Sequence, residues 1–239
     1  MYPTHDDNIE PQKQPIFNLH FIIPVLIGVM ALIHLLRIYV FSEQLNYQTV
    51  VELSFIPARY SNESLAALSP LAQYWSPISY AFLHADWAHL IMNSFWLLAF
   101  GGVTARRLGA IKFMILFIVG TICGAALHYI FHLNDISPMI GASASVSACM
   151  GAAMRLPYFS ETNFKGDINN IRIRTLIEAL TNRQAITFIV IWFAVNFLFG
   201  TGIVDVVGNG NPIAWQAHIG GFLAGLFLFG FIDRFFSKV

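Results

Sequence analysis

Apolar residues in this chain come in long blocks rather than in alternation. Ile16–Phe41, Ala88–Val103, Ile111–Phe131, Ile140–Leu156, Ala185–Gly200 and Ile213–Ile232 are almost free of charge, and polar stretches separate them. A helix needs roughly 20 apolar residues to cross a hydrocarbon core about 30 Å thick. Hydrocarbon offers no partner to a bare peptide group, so a spanning block must satisfy its own backbone as a helix. The pattern predicts an all-α, polytopic membrane protein. Residues 16–239 form its six-helix membrane domain, with a polar N-terminal segment, 1–15, ahead of it. The longest connection, Ser42–Trp87, carries aromatics and prolines and is expected to lie partly in the membrane interface. No internal repeat and no soluble domain is visible.

Composition agrees with that reading. The chain is 56% apolar and only 11% charged, against about 25% charged in soluble domains. Its formal net charge of zero gives no basis for nucleic-acid binding. The N-terminus is acidic (Asp6, Asp7, Glu10), without the basic stretch of a cleavable signal peptide. Cys123 and Cys149 fall inside apolar blocks and read as small buried residues rather than a disulfide. Lysine and arginine gather on one side of the predicted membrane: Lys13, then Arg106, Arg107 and Lys112, then Arg155, Lys165, Arg172, Arg174 and Arg183, then Arg234 and Lys238. The other side has Arg59, with Arg37 near the end of the first block. This bias predicts both termini in the cytoplasm, and only an even number of spans permits that.

The fourth block is the odd one. "GASASVSACMGA", Gly141–Ala152, has serines at 143, 145 and 147 among almost nothing bulky. Ala142–Leu156 makes about 22 Å of helix, too short for the core. With Arg155 near the cytoplasmic surface, the Ser143 end stops below the outer one. A helix start leaves N–H groups without partners, which hydrocarbon tolerates only beside a wet cavity. Ser143, Ser147 and Gly151 share a face whose small side chains suit close helix contact. In the last block, His218, Gly221 and Gly225 do the same, with His218 about 7 Å deep. A serine beside an imidazole at matched depth is a nucleophile with its general base. A histidine in a span is functional by default.

A second polar cluster, His84, His89 and Asn93, lies at the outer end of the second block. Donors grouped there suit a developing oxyanion. Two other readings stand beside these: polar groups that only hydrogen-bond between helices, and a metal or haem site drawing on His128 and His132. The second lacks an HExxH pattern, a cysteine pair or any acid within a span.

Taken together, these residues resemble the rhomboid intramembrane serine proteases of the bacterial six-helix type, over nearly the whole chain. The resemblance rests on the spacing His84-x4-His89-x3-Asn93, on the Gly-x-Ser of Gly141–Ser143, on "AHIGGFLAG" with His218, Gly221 and Gly225, and on "GGVTARRLG", Gly101–Gly109. It implies that Ser143 is the nucleophile and His218 the base, a dyad without an aspartate. His89, Asn93 and the Ser143 backbone N–H would form the oxyanion hole, and His84 would be structural. Substrates would be other membrane proteins, cut at transmembrane segments, with no metal and no cofactor. The expected location is a bacterial cytoplasmic membrane.

Four positions depart from the family pattern. Ala144 stands for the glycine after the nucleophile. Ser147 stands for the aromatic residue that supports the imidazole. Ser76 replaces an arginine after Trp75, and Ala105 a glutamate. The departures predict a slow enzyme with a loosely oriented His218. A helix-binding protein without catalysis and a small-solute transporter are the other function classes. A transporter should carry an inverted repeat, and none is visible.

Overall fold

The computed structural model describes residues 19–156, 171–201 and 214–235. The expected N-terminal segment 1–15 and the connections over 157–170 and 202–213 lie outside the described residues. The regular elements of the described residues are all helical, and their only β-type pairing is an isolated bridge between Phe55 and Met139.

The first span is α1 (Ile22–Leu35), which widens into a π-helical turn at Leu36–Val40. The second is α5 (Trp87–Trp96), which widens in the same way at Leu97–Gly101 and continues into α6 (Gly102–Phe131). The apolar pattern ends this span at Val103, but helix continues to Leu108. Gly109 then breaks it, with φ +71° and ψ 173°, a conformation that costs glycine little and other residues much. The chain folds back there. Thr104 Oγ1 lies 3.5 Å from the Cys149 carbonyl oxygen, and Gly120, sixteen positions later, touches Ala148 on the same helix. A straight helix would hold those two positions about 24 Å apart, so residues 110–131 are the third span.

The short fourth helix, α7 (Ser143–Ala153), is buried at nearly every position. The fifth span is α9 (Arg183–Gly200) and the sixth is α10 (Trp215–Phe235). Side chains alone did not bring α6, α7 and α10 together. A Cβ placed at Gly221 or Gly225 would collide with the backbone of Ala144 or Ala148, one at Gly151 with the backbone of Phe222, and one at Gly124 with the Ala144 methyl. The contact stripe on α7 is therefore Ala144, Ala148 and Gly151. Of the expected stripe of Ser143, Ser147 and Gly151, the glycine belongs to this closest approach and Ser143 meets α10 through His218. Apolar tails solvate apolar side chains as well as protein does, so helices in lipid gain most from close backbone approach, and glycine and alanine permit it.

The stretch expected as a long interfacial loop is largely helical. It holds α2 (Glu43–Leu53), α3 (Glu63–Leu68) and α4 (Ala72–Ser79), joined by 3₁₀ turns at Pro57–Tyr60 and Tyr80–Phe82. Ser42 caps α2 through Leu45 N–H, and Asn62 caps α3 through Ser64 N–H. The cap residues Ser and Asn are legible signals. Span length does not reveal these helices, because each is too short to cross a membrane. Arg37 donates to the His84 carbonyl at 2.9 Å, and Arg59 to the Ser54 and Val51 carbonyls. Both cations are used as backbone caps.

At the opposite end, Arg107 grips Asp233 with two hydrogen bonds, 2.8 and 2.9 Å, and Lys112 donates to the Asp233 carbonyl. Arg155 donates to the Arg174 and Leu226 carbonyls. The basic residues that set the charge bias thus tie the ends of α6, α7 and α10 together. A small helix, α8 (Leu176–Thr181), precedes α9 on this side, with a reciprocal capping box between Thr175 and Glu178.

Candidate active site

The segment that leads into α7 is held from the α2–α4 side. Phe55 and Met139 exchange backbone hydrogen bonds of 3.1 and 2.8 Å, the Asp135 carbonyl accepts from Ala58 N–H, and Gly141 N–H donates to the Tyr80 carbonyl at 3.0 Å. The Asp135 carboxylate accepts from Ser137 N–H, which holds its pKa below the ordinary value, with help from His132 and His128. Tyr80 is fully buried and donates to the Thr121 carbonyl. These contacts deliver Gly141 to the head of α7 in a left-handed conformation, φ +117°. Only glycine fits, since a Cβ there would lie 2.6 Å from His89 Nε2.

α7 starts at Ser143. Its N-cap position is Ala142, whose methyl offers the first-turn N–H groups no acceptor. Ser143 is partly open while Ala142 and Ala144 on either side are buried. His218, three residues into α10, brings its Nε2 to 2.7 Å from Ser143 Oγ. The expected depth for His218 was about 7 Å. α10 starts at Trp215, so the imidazole sits closer to the helix end, about 5 Å in.

His89 and Asn93 lie one turn apart on α5. Asp86 caps the helix by accepting from His89 N–H at 2.7 Å. His89 Nδ1 faces the Ala85 N–H at 3.5 Å. An Nδ1 that accepts leaves the proton on Nε2, the atom that faces Gly141. The Asn93 amide nitrogen donates to the His89 carbonyl at 3.1 Å. Donors from α5 and from the head of α7 thus converge around Gly141. His84 is fully buried behind them, edge-on to His89 with ring centroids 5.1 Å apart. His128 and His132 are stacked on each other, 4.2 Å apart. Among the described residues no three His, Cys, Asp or Glu side chains form a metal-binding group.

The family model of the rhomboid domain matches residues 71–234, more than half of the chain. This protein belongs to the rhomboid family. It is 30% identical over 158 residues to RHOMBOID-like protein 4 of Arabidopsis thaliana, covering 66% of this chain and 34% of that one. Rhomboid protease GluP of Bacillus subtilis (strain 168) is 24% identical over 155 residues, 65% of this chain and 25% of its own. Rhomboid protease GlpG of Haemophilus influenzae is 28% identical over 170 residues, 70% of this chain and 73% of its own. The chain spans only about a third and a quarter of the first two relatives. Family and apolar helices together make it an integral membrane protein.

Other polar residues of this rhomboid take roles that the sequence did not suggest. Ser145 hydrogen-bonds Thr121 between α7 and α6, away from the Ser143–His218 pair. Ser147 Oγ donates to the Ser143 carbonyl at 2.7 Å. The Ala144 methyl points at Gly124, so it fills the seam with α6 and not the space beside Ser143 Oγ. Ser76 Oγ pairs with the Tyr60 hydroxyl, and Trp75 Nε1 donates to the Glu52 carbonyl. Ala105 is buried. A loosely oriented His218 was expected without an aromatic ring at 147. Instead each ring nitrogen has a partner: Ser143 at Nε2, and the Asn196 side chain of α9 at Nδ1. Sequence reasoning misses Asn196, because a lone amide carries less chemical signal than a serine or a histidine. That signal is nevertheless present, as a single amide within the apolar run "VIWFAVNFLFG".

Proposed function

We propose that this rhomboid is an intramembrane serine endopeptidase that cuts transmembrane segments of other membrane proteins. The observation that carries the reading is the 2.7 Å contact between Ser143 Oγ and His218 Nε2 at a partly open helix start. In the proposed reaction His218 Nε2 takes the Ser143 hydroxyl proton as Oγ bonds to the scissile carbonyl carbon. Negative charge then grows on the former carbonyl oxygen. The Ser143 N–H, His89 Nε2–H and, after it leaves the His89 carbonyl, the Asn93 amide stabilise it. The imidazolium returns the proton to the departing amine. Water releases the acyl group from Ser143 with the same base. No metal or cofactor has a part in these steps.

Relatives named rhomboid protease support the reading, as does the basic end formed by Arg107, Lys112, Arg155 and Arg174. The proposed orientation puts that end and both termini in the cytoplasm, and the Ser143 end outside, in a bacterial cytoplasmic membrane. A cysteine placed at the exposed Leu68 should then react with an impermeant maleimide in intact cells. Reaction only after permeabilisation reverses the orientation.

The test of function is labelling with a fluorophosphonate serine-hydrolase probe, alongside cleavage of a model transmembrane substrate in proteoliposomes. Ser143→Ala should abolish both, and His218→Ala should reduce labelling and turnover together. His89→Ala and Asn93→Ala should each lower kcat by about 10²-fold with a smaller change in KM. A folded parent that neither labels nor cleaves would be a helix-binding protein that keeps the architecture without the chemistry.

A further inference from the structure

Among the membrane-embedded polar side chains around Ser143, His84 and Asn196 have chemistry left over once the dyad and the oxyanion donors are assigned. His84 is fully buried behind His89 and has no access to substrate. Asn196 touches the reacting apparatus itself. It lies on α9, in the second-to-last turn before Gly200, and makes two hydrogen bonds that run in a fixed sense. Its amide nitrogen donates to the Trp192 carbonyl at 2.8 Å, one turn back on the same helix. A carbonyl oxygen can only accept, so the NH2 group must face it. A flipped amide would set oxygen against oxygen. The Asn196 Oδ1 is thereby turned outward, and its partner is His218 Nδ1.

The consequence passes through the imidazole. An amide oxygen is only an acceptor, so His218 Nδ1 must carry the proton. A neutral imidazole has one N–H, so Nε2 keeps its lone pair. Nε2 is the atom 2.7 Å from Ser143 Oγ, and the serine hydroxyl must then donate to it. The chain Trp192 carbonyl, Asn196 amide, His218 imidazole, Ser143 hydroxyl therefore has a single consistent direction. That direction prepares the serine for deprotonation.

We infer that Asn196 is the positioning residue of the site: its side-chain oxygen fixes the tautomer and the orientation of His218, in the place where Ser147 provides no aromatic support. The inference rests on the Ser143–His218 reading above. It makes the site a three-part relay, with the third member on a different helix from the first two. An amide cannot take the proton, so Asn196 acts only through His218. A carboxylate would do the same and would also stabilise the imidazolium. His89 and His128 are the titratable neighbours of His218, and neither is an acid, so an aspartate at 196 would be a new charge beside the ring.

The experiment compares the parent with Asn196→Ala, Asn196→Leu and Asn196→Asp, each checked by thermal melting in detergent. The leucine has the amide's size without its polar atoms and replaces alanine if the smaller residue unfolds the protein. In the apolar variants kcat and the fluorophosphonate labelling rate should fall together by about 10- to 10²-fold, the cost of a misplaced catalytic group. KM should stay within about twofold. Asn196→Asp should restore most of kcat, and the acid limb of its kcat/KM profile should move to higher pH, because the carboxylate favours the charged ring. A readout independent of turnover is the ¹⁵N spectrum of histidine-labelled protein, with His218 assigned by its loss in His218→Gln. The parent should show the proton on Nδ1, and Asn196→Leu should show a mixture of tautomers. An unchanged tautomer, or a folded apolar variant with parental kcat, overturns the inference. Loss of activity that aspartate does not restore, with no change of tautomer, reduces Asn196 to a packing role and overturns it as well. If the parent neither labels nor cleaves, the protease reading fails, and the tautomer spectrum still decides whether Asn196 orients His218.

Discussion

Helices α10 and α9 both bring a polar group to the site, yet they are attached to the protein in opposite ways. α10 lies in backbone contact with α6 and α7. Gly220 sits against the Cys123 carbonyl, Gly221 against Ala144 and Gly225 against Ala148. α9 is held by side chains: Ala185 and Ile189 in the core, several rings and one amide. Trp192 stacks on Phe222 at 5.1 Å, Phe188 meets Phe100 at 5.4 Å, Phe197 lies edge-on to Trp215, and Asn196 reaches His218. The opposite face of α9 points outward, with Val190 60% and Ile191 58% exposed. Ser143 and His218 are thus fixed by close backbone packing that leaves almost no adjustment. Asn196, the proposed positioning residue, is carried by a helix whose contacts run from side chain to side chain. Rigidity is placed where a serine must meet an imidazole to within a few tenths of an ångström, and looser attachment is confined to the next partner outward.

That contrast can be broken at its strong side, where Gly225→Val should have the largest effect. Its Cβ would lie 2.6 Å from the Ala148 carbonyl carbon and 2.8 Å from the Ala148 Cα, so backbone must move. Overpacking of this kind costs about 1–3 kcal/mol, occasionally more, and a backbone clash belongs at the upper end. The expected result is a large fall in melting temperature in detergent, with loss of fluorophosphonate labelling. A melt near the parental value would mean that α7 and α10 can separate at little cost.

The weak side should respond less. Trp192→Ala removes the stack on Phe222, worth about 0.5–1.5 kcal/mol beyond the area it buries. Melting should fall modestly. Turnover should fall further than melting suggests, because α9 then holds Asn196 less firmly. Equal losses of both would erase the distinction drawn between the helices. Val190→Ala, on the outward face of α9, should stay within about 0.5 kcal/mol of the parent. A larger effect would show that this face is covered by another protein surface rather than by lipid.

The smallest effect concerns the start of α9. Asn182 caps α9 by accepting from Ala185 N–H at 2.9 Å, directly after α8. Glu178 closes the α8 capping box, and its pKa is lowered to about 2 by the hydrogen bond from Arg172 and then by that from Thr175 N–H. A lowered carboxyl pKa means that the contribution is present above the ordinary value of 4.5 and is lost as pH falls toward 2. The Glu178 side chain is 42% exposed, so salt should weaken the effect. Amide-exchange protection over residues 179–181 should drop across that window and be lower in Glu178→Gln at neutral pH, with labelling of Ser143 unaffected. A coupled loss of labelling would tie the site to α8 more tightly than its packing suggests.

Much of this protein can be read from single residues and their spacing. Block length and the absence of charge demand helices, because hydrocarbon cannot satisfy a bare peptide group. Chemically distinctive side chains, Ser143, His218, His89 and Asn93, stand out in apolar runs because burying them has a cost. Gly109 and Gly141 mark positions where the backbone must take a positive φ. Other features depended on which surfaces met. The closest approach of α7 is made at alanine and glycine beside Ser143, because it is decided by backbone against backbone, which helical spacing alone does not reveal. Ser145 and Ser147 became packing partners of Thr121 and of the Ser143 carbonyl for the same reason. Asn196 is the clearest case. In sequence it is one amide among apolar residues, 22 positions before the histidine it touches. Its meaning comes from the tertiary structure, where the Trp192 carbonyl fixes which end of the amide faces His218 and the direction of hydrogen bonding follows.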